Sequence, residues 1–207
     1  MARAREELHA EIAKHREAIA RLEARLEEIE GPKPADPWPP EGFYLTYYVV
    51  AGLMLGVLGS LTSFLMNVGG SILVDQDPLL FLRVYGTVFL GKEALVTSDL
   101  NFFMLVAVVH FSIGAVAGAV FHVLVSLYTP EKAIVTVGLG AVYGLVMWVV
   151  NFYVVIDWLE TSLYGQAYVL ELMPAWVAAL SHMIYGVTLG ALQPLGRFVP
   201  YRPAVAT

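Results

Sequence analysis

Charged residues crowd the first 41 positions of this 207-residue chain, and long apolar runs almost without charge follow. A soluble core has no use for several such runs in succession. The asymmetry therefore predicts an all-α integral membrane protein carrying a polar N-terminal segment. Hydrophobic residues make up 58% of the chain and charged residues 14%. The formal net charge of −6 carries little meaning here, because distribution outweighs the sum. No basic stripe of the kind that binds nucleic acid is present.

Four runs reach the ~20 residues needed to cross a ~30 Å hydrocarbon layer. They are expected at about 43–67, 102–127, 133–156 and 174–195. Thr129 and Pro130 offer an N-cap and first-turn proline for the third run, and Pro174 opens the fourth. Tyr44, Tyr47, Tyr48, Tyr128, Trp158 and Trp176 crowd the ends of these runs as interfacial aromatics do. The stretch 77–95, DPLLFLRVYGTVFLGKEAL, reads as an interfacial or re-entrant segment on the outer face. Arg83 and Lys92 would both fall inside a fifth span, which argues against one. Arg25, Lys33, Lys132, Arg197 and Arg202 lie on one side of the spans. The positive-inside rule then predicts cytoplasmic N- and C-termini, with 196–207 a cytoplasmic tail.

Residues 5–30 carry a heptad. Leu8, Ile12, His15, Ile19, Leu22, Leu26 and Ile29 alternate spacings of four and three, the seam of a coiled coil. With Leu8 at position d, Glu11 would face Arg16 of a partner helix and Arg25 would face Glu30. Both pairs are attractive in a parallel, in-register coil. The other reading is a single amphipathic helix laid on another protein. GPKPADPWPPEG (31–42) holds five prolines in twelve residues and is expected to be an extended spacer. The N-terminus lacks the apolar core and cleavage site of a signal peptide, so it is expected to be retained. The chain has no cysteine, which excludes disulfides, thiol catalysis and Cys-ligated metal.

Glycine frames recur in all four apolar runs. The first and third hold Gly52-x3-Gly56 and Gly140-x3-Gly144. The second and fourth hold HFSIGAVAG (110–118) and HMIYGVTLG (182–190), each His-x3-Gly-x3-Gly. The pattern suggests an internal duplication of a two-helix hairpin. Small residues four apart make a groove in which helix backbones approach closely, so Gly114, Gly118, Gly186 and Gly190 are expected at helix contacts along with the other four. His110 and His182 share the glycine faces and are expected at one depth in the outer half of the bilayer. Asn67 and Asn151, near the outer ends of their helices, complete a polar quartet. His122 is turned off that face by about 120° and has no counterpart in the fourth run.

Three uses of the quartet stand open. The side chains hydrogen-bond across the bundle and lock it; they form a small-solute or proton site at the repeat interface; or His110 and His182 are axial ligands of a b-type haem, with glycines making room for the macrocycle. Asp157, Glu160 and Glu171 read as a solvated acidic loop. No metal-protease, P-loop or Ser–His–Asp spacing is present, and no enzymatic activity is expected.

HFSIGAVAGAVFH, GAVYGLVMW and HMIYGVTLG resemble the YagU-like group of small bacterial inner-membrane proteins and related uncharacterised four-helix families. The resemblance covers roughly residues 50–195 and excludes the coil and the spacer. It implies a bacterial cytoplasmic membrane and a small helical bundle, loosely connected with acid tolerance, and supplies no catalytic residues. The leading expectation is a non-enzymatic accessory or scaffold subunit, in a respiratory or other membrane assembly, docking or oligomerising through its coil.

Overall fold

A computed structural model describes residues 2–30, 44–73, 75–128 and 132–198. They belong to two compact units, one containing the first helix and one spanning residues 44–198. Every described residue sits in a helix, a turn or a short connection, and among them there is no strand. The proline-rich stretch 31–42, the cap at Thr129 and Pro130, and residues 199–207 lie outside the described residues.

The first unit is helix α1, Ala2–Glu30. It is unbroken because its sequence holds no glycine or proline and is rich in Ala, Glu, Arg and Leu. Its described side chains are exposed, the heptad positions included: Leu22 is 66% and Ile29 79% accessible. Glu17 and Arg21, one turn apart, form an ion pair at 2.6 Å on the side away from the seam.

The second unit contains four helices long and apolar enough to cross a membrane: Leu45–Leu73, Leu100–Tyr128, Ala133–Tyr164 and Ala175–Gly196. All four expected runs are thus helical, and each continues past its expected last residue, the second and fourth by only one. The first is α2, Leu45–Leu73. The second is α4, Leu100–Tyr128. The third runs as α5 (Ala133–Val150), passes through a π turn at Asn151–Ile156, and continues as α6 (Asp157–Tyr164). Gly165, at φ +71°, ends it in the left-handed conformation that glycine adopts without strain. The fourth is α8, Ala175–Leu192, closed by a 3₁₀ turn at Gln193–Gly196. Pro174 stands just before it, and its carbonyl accepts from the Val177 and Ala178 amides at 3.0 and 3.2 Å.

The segment 77–95 forms α3, Leu80–Leu90, and a 3₁₀ turn, Gly91–Leu95. Eleven residues at ~1.5 Å each span about half the hydrocarbon layer, so α3 is no crossing. Asp77 starts it by accepting from the Leu79 amide at 2.9 Å and pairs with Arg83 at 2.6 Å. The Arg83 guanidinium lies 5.6 Å from the centre of the Phe103 ring. Phe81, Leu82, Val84 and Thr87 of α3 are buried against α4 and the short helix α7, Tyr168–Leu172. The segment is therefore part of the protein's own core.

Helices α2 and α8 touch at the centre, with α4 against α2 and α5 against α8. Lateral contact between α4 and α5 is slight. The outward faces are apolar: Met54, Val108, Val142 and Val154 are all about three-fifths exposed or more, at 66, 61, 60 and 59%. Faces of this kind are solvated by lipid chains, and the intrahelical hydrogen bonds leave no spanning backbone needing water.

Candidate functional site

The glycine frames are where the helix pairs close. A Cβ placed on Gly52 would lie 2.6 Å from the Ala119 Cα, and one on Gly118 would lie 2.6 Å from the Gly52 carbonyl oxygen. Gly56 and Gly114 meet in the same seam, where Ser60 also abuts Gly114. In the second pair, Gly140 and Gly186 face one another backbone to backbone. Gly144 abuts the His182 carbonyl and Gly190 the Thr136 carbonyl. All eight glycines thus sit at close helix contacts. The space beside them is filled by partner helices, so they do not open room for a macrocycle as the haem reading supposed.

The closely sealed pairs leave a void beside them. A cavity of about 310 Å³ lies between α4 and the α5–α6 helix, with α2 and α8 behind it and α3 over it. That volume is at the lower end of the ~300–1,000 Å³ range of small-molecule sites. His110, His182 and Asn151 all line it, together with Ser60, Ser63, Ser181 and Tyr185. Phe81, Val106, Ile113, Met147 and Ile156 are among its apolar walls.

The π turn shapes one wall. An α-helix rotates past a full turn every four residues, so a four-residue row drifts around it. The wider i→i+5 winding at Asn151–Ile156 offsets that drift. Met147, Asn151, Val155 and Leu159 consequently all line the cavity.

Each cavity histidine is anchored by one nitrogen. His110 Nε2 lies 3.3 Å from the Ser60 carbonyl, across the α2–α4 seam. His182 Nδ1 lies 2.8 Å from the Ala178 carbonyl one turn earlier in its own helix. A carbonyl only accepts, so those two nitrogens carry the protons in the neutral rings. His110 Nδ1 and His182 Nε2 are then the lone-pair nitrogens. The His110 ring contacts the Phe64, Phe81 and Phe111 rings at 6.2, 6.4 and 5.5 Å between centroids, and Phe152 meets His182 edge-on at 5.7 Å.

Asn67 belongs elsewhere than expected. Because α2 continues to Leu73, Asn67 is not at its end, and it is buried behind the cavity wall. Its amide donates to the Ser63 carbonyl at 2.9 Å and to Ser181 Oγ at 2.8 Å. Ser181 Oγ is also 2.7 Å from Ser63 Oγ. Three of the four expected residues line one cavity, and the fourth braces the serines that form its back.

Two tyrosines missed in the sequence tie the pairs together. Tyr185 donates to the Gly114 carbonyl at 2.6 Å and Tyr143 to the Ala117 carbonyl at 2.7 Å. The third membrane histidine has a structural place: His122 is buried, with Nε2 3.0 Å from the Gly196 carbonyl, and so fixes the end of the last helix. Glu160 corrects the acidic-loop reading. It is fully buried, with Oε1 2.6 Å from Thr87 Oγ1 and Oε2 accepting from the Val169 amide at 2.9 Å. It thereby clamps α6 to α3 and α7. No cluster of three or more metal-ligating side chains occurs among the described residues.

Comparison of the chain with protein-family models, with curated proteins and with solved structures finds no match in any of the three.

Proposed function

We propose that this multi-pass membrane protein is a non-enzymatic accessory or scaffold subunit that assembles through α1. The observation that carries the reading is the seam of α1: apolar side chains at heptad spacing, all exposed along one helix. An amphipathic helix of this kind gains stability mainly by burying that face against a partner. Four membrane helices would hold the coil at a surface and raise the effective concentration of neighbouring copies. In this reading the two glycine-sealed helix pairs are a duplicated hairpin. Both termini face the cytoplasm of a bacterial inner membrane, as the lysine and arginine distribution and the YagU-like resemblance suggest. Copurification from native membranes, with the full chain against one lacking residues 2–30, tests the proposal. The full chain should be oligomeric or carry a partner that the truncated chain loses; a monomer with identical companions in both cases refutes it.

A second reading, a small-solute or proton transport protein, is favoured by the cavity that His110, His182 and Asn151 line together. Intramembrane ionisable side chains are costly and commonly mark such sites. Flux into liposomes by wild type and by the His110→Ala/His182→Ala pair decides it: equal flux removes the reading.

A further inference from the structure

The cavity has its mouth in the side of the bundle. Phe89, Ile113 and Val155 line it and are also 40, 51 and 46% exposed on the outside. They come from α3, α4 and the π turn, the elements on either side of the slight α4–α5 contact. Ile113 is the fourteenth residue of the 29 in α4, so the opening lies at mid-helix. At that level the surroundings of a membrane-spanning helix are lipid chains. A molecule reaching this cavity through its mouth therefore arrives dissolved in the bilayer.

The polar end restricts its chemistry. Both imidazoles have spent their N–H groups on carbonyls, so the neutral rings offer His110 Nδ1 and His182 Nε2 as acceptors. The Ser63 and Ser181 hydroxyls are engaged with each other. An apolar ligand with no donor would leave the imidazole lone pairs unpaired in a nearly water-free site, which is unfavourable. A hydroxyl group supplies the missing proton.

We propose that this cavity is a laterally loaded binding site for a bilayer-dissolved apolar molecule bearing a hydroxyl head. The hydroxyl donates its one proton to an imidazole lone pair, the compact part next to it fills the apolar walls, and any longer tail passes out beside Ile113 into lipid. This goes beyond the assembly role of α1 and does not depend on it.

The test uses the full-length protein in phosphatidylcholine nanodiscs and a 4-alkylphenol carrying an aliphatic diazirine. After irradiation, labelled peptides should come from α4 around Val109–Ala117 and from the α5–α6 helix around Met147–Leu159. Competition by 4-octylphenol should be about fivefold to tenfold more effective than by 4-octylanisole, its methyl ether, which has lost the donor. In the His110→Leu/His182→Leu protein that difference should vanish. Equal competition by phenol and ether in wild type overturns the proposal without any variant being needed. Labelling confined to residues outside the cavity overturns it as well.

Discussion

The hydroxyls of Ser63 and Ser181 lie 2.7 Å apart, and this contact joins α2 to α8 where the two glycine-sealed helix pairs meet. Asn67 donates to Ser181 Oγ at 2.8 Å, so the Ser181 hydroxyl is free to pass its own proton to Ser63. The Asn67 amide also reaches the Ser63 carbonyl at 2.9 Å, which fixes its orientation. All three side chains are buried. A Thr62–Thr188 hydroxyl contact at 2.9 Å supports the same interface.

Replacing Asn67 by Leu removes the donor and leaves the two serines to each other. Interhelical hydrogen bonds in membrane proteins average roughly 0.6 kcal/mol and reach ~1.7. Asn67→Leu should therefore cost about 1 kcal/mol, and Ser181→Ala, which disconnects both neighbours, about 1–2 kcal/mol. Thermal unfolding in detergent, followed by tryptophan fluorescence, measures both. Equal midpoints for wild type and Ser181→Ala would show that this joint contributes nothing.

The glycines divide into two groups, those in the four-residue frames and those outside them. A Cβ at Gly56 would come within 2.8 Å of the Ala115 Cα, and one at Gly140 within 2.9 Å of the Gly186 carbonyl carbon. At Gly69 and Gly138 it would meet nothing within 4 Å. Gly56→Ala and Gly140→Ala should thus each destabilise by about 1–3 kcal/mol, because backbone on the far side has to move. Gly138→Ala, inside a helix and facing open space, should be neutral or gain up to ~1 kcal/mol from helix propensity. The same unfolding measurement applies. A destabilised Gly138→Ala protein would mean that a lipid-side neighbour occupies that space.

What the sequence made legible follows from period and composition. Four apolar runs with small residues in register specify four helices and the faces on which they pair, and all eight frame glycines sit at those seams. Arg83 and Lys92 correctly argued against a full span at 77–95. Asn67 and Glu160 were less legible for one shared reason. Their surroundings are set by residues far along the chain, Ser181 for one and Thr87 for the other. The π turn was hidden as well, since NFYVVI contains nothing that separates π from α winding. The cavity is a consequence of all three: it is the volume left over when two tight pairs are joined through α2 and α8 and covered by α3.

Glu160 gives a test of how a buried carboxyl is held. Thr87 Oγ1 lies 2.6 Å from Glu160 Oε1 and 2.5 Å from the Val84 carbonyl, yet a hydroxyl has only one proton to donate. A neutral carboxylic acid resolves the conflict by donating to Thr87 while its other oxygen accepts from the Val169 amide, 2.9 Å away. Gln reproduces that pattern with its amide group. Glu160→Gln should then change stability by less than about 1 kcal/mol, whereas Glu160→Ala should cost ~2–4 kcal/mol from the void and the orphaned partners. A Glu160→Gln protein as unstable as Glu160→Ala would show that the ionised form is the one the site needs.

The heptad of α1 makes a prediction about direction as well as association. In a parallel pair of copies, Glu11 of one helix faces Arg16 of the other, and the contact occurs twice by symmetry. Antiparallel helices instead pair the flanking positions across the middle of the seam, so Glu11 would approach Arg25 of the other helix. Changing Glu11 to Arg should weaken a parallel dimer by about tenfold, since both attractive pairs become repulsive. The double change Glu11→Arg/Arg16→Glu restores attraction in the parallel arrangement and should recover wild-type association. Single-molecule photobleaching of the full chain in bilayers, over a series of protein-to-lipid ratios, gives the dimer fraction for each. A double variant as weak as Glu11→Arg would identify an antiparallel pair, because the arginine at position 11 would still face Arg25 there. No change in either variant would mean that α1 does not pair with another α1 through this seam.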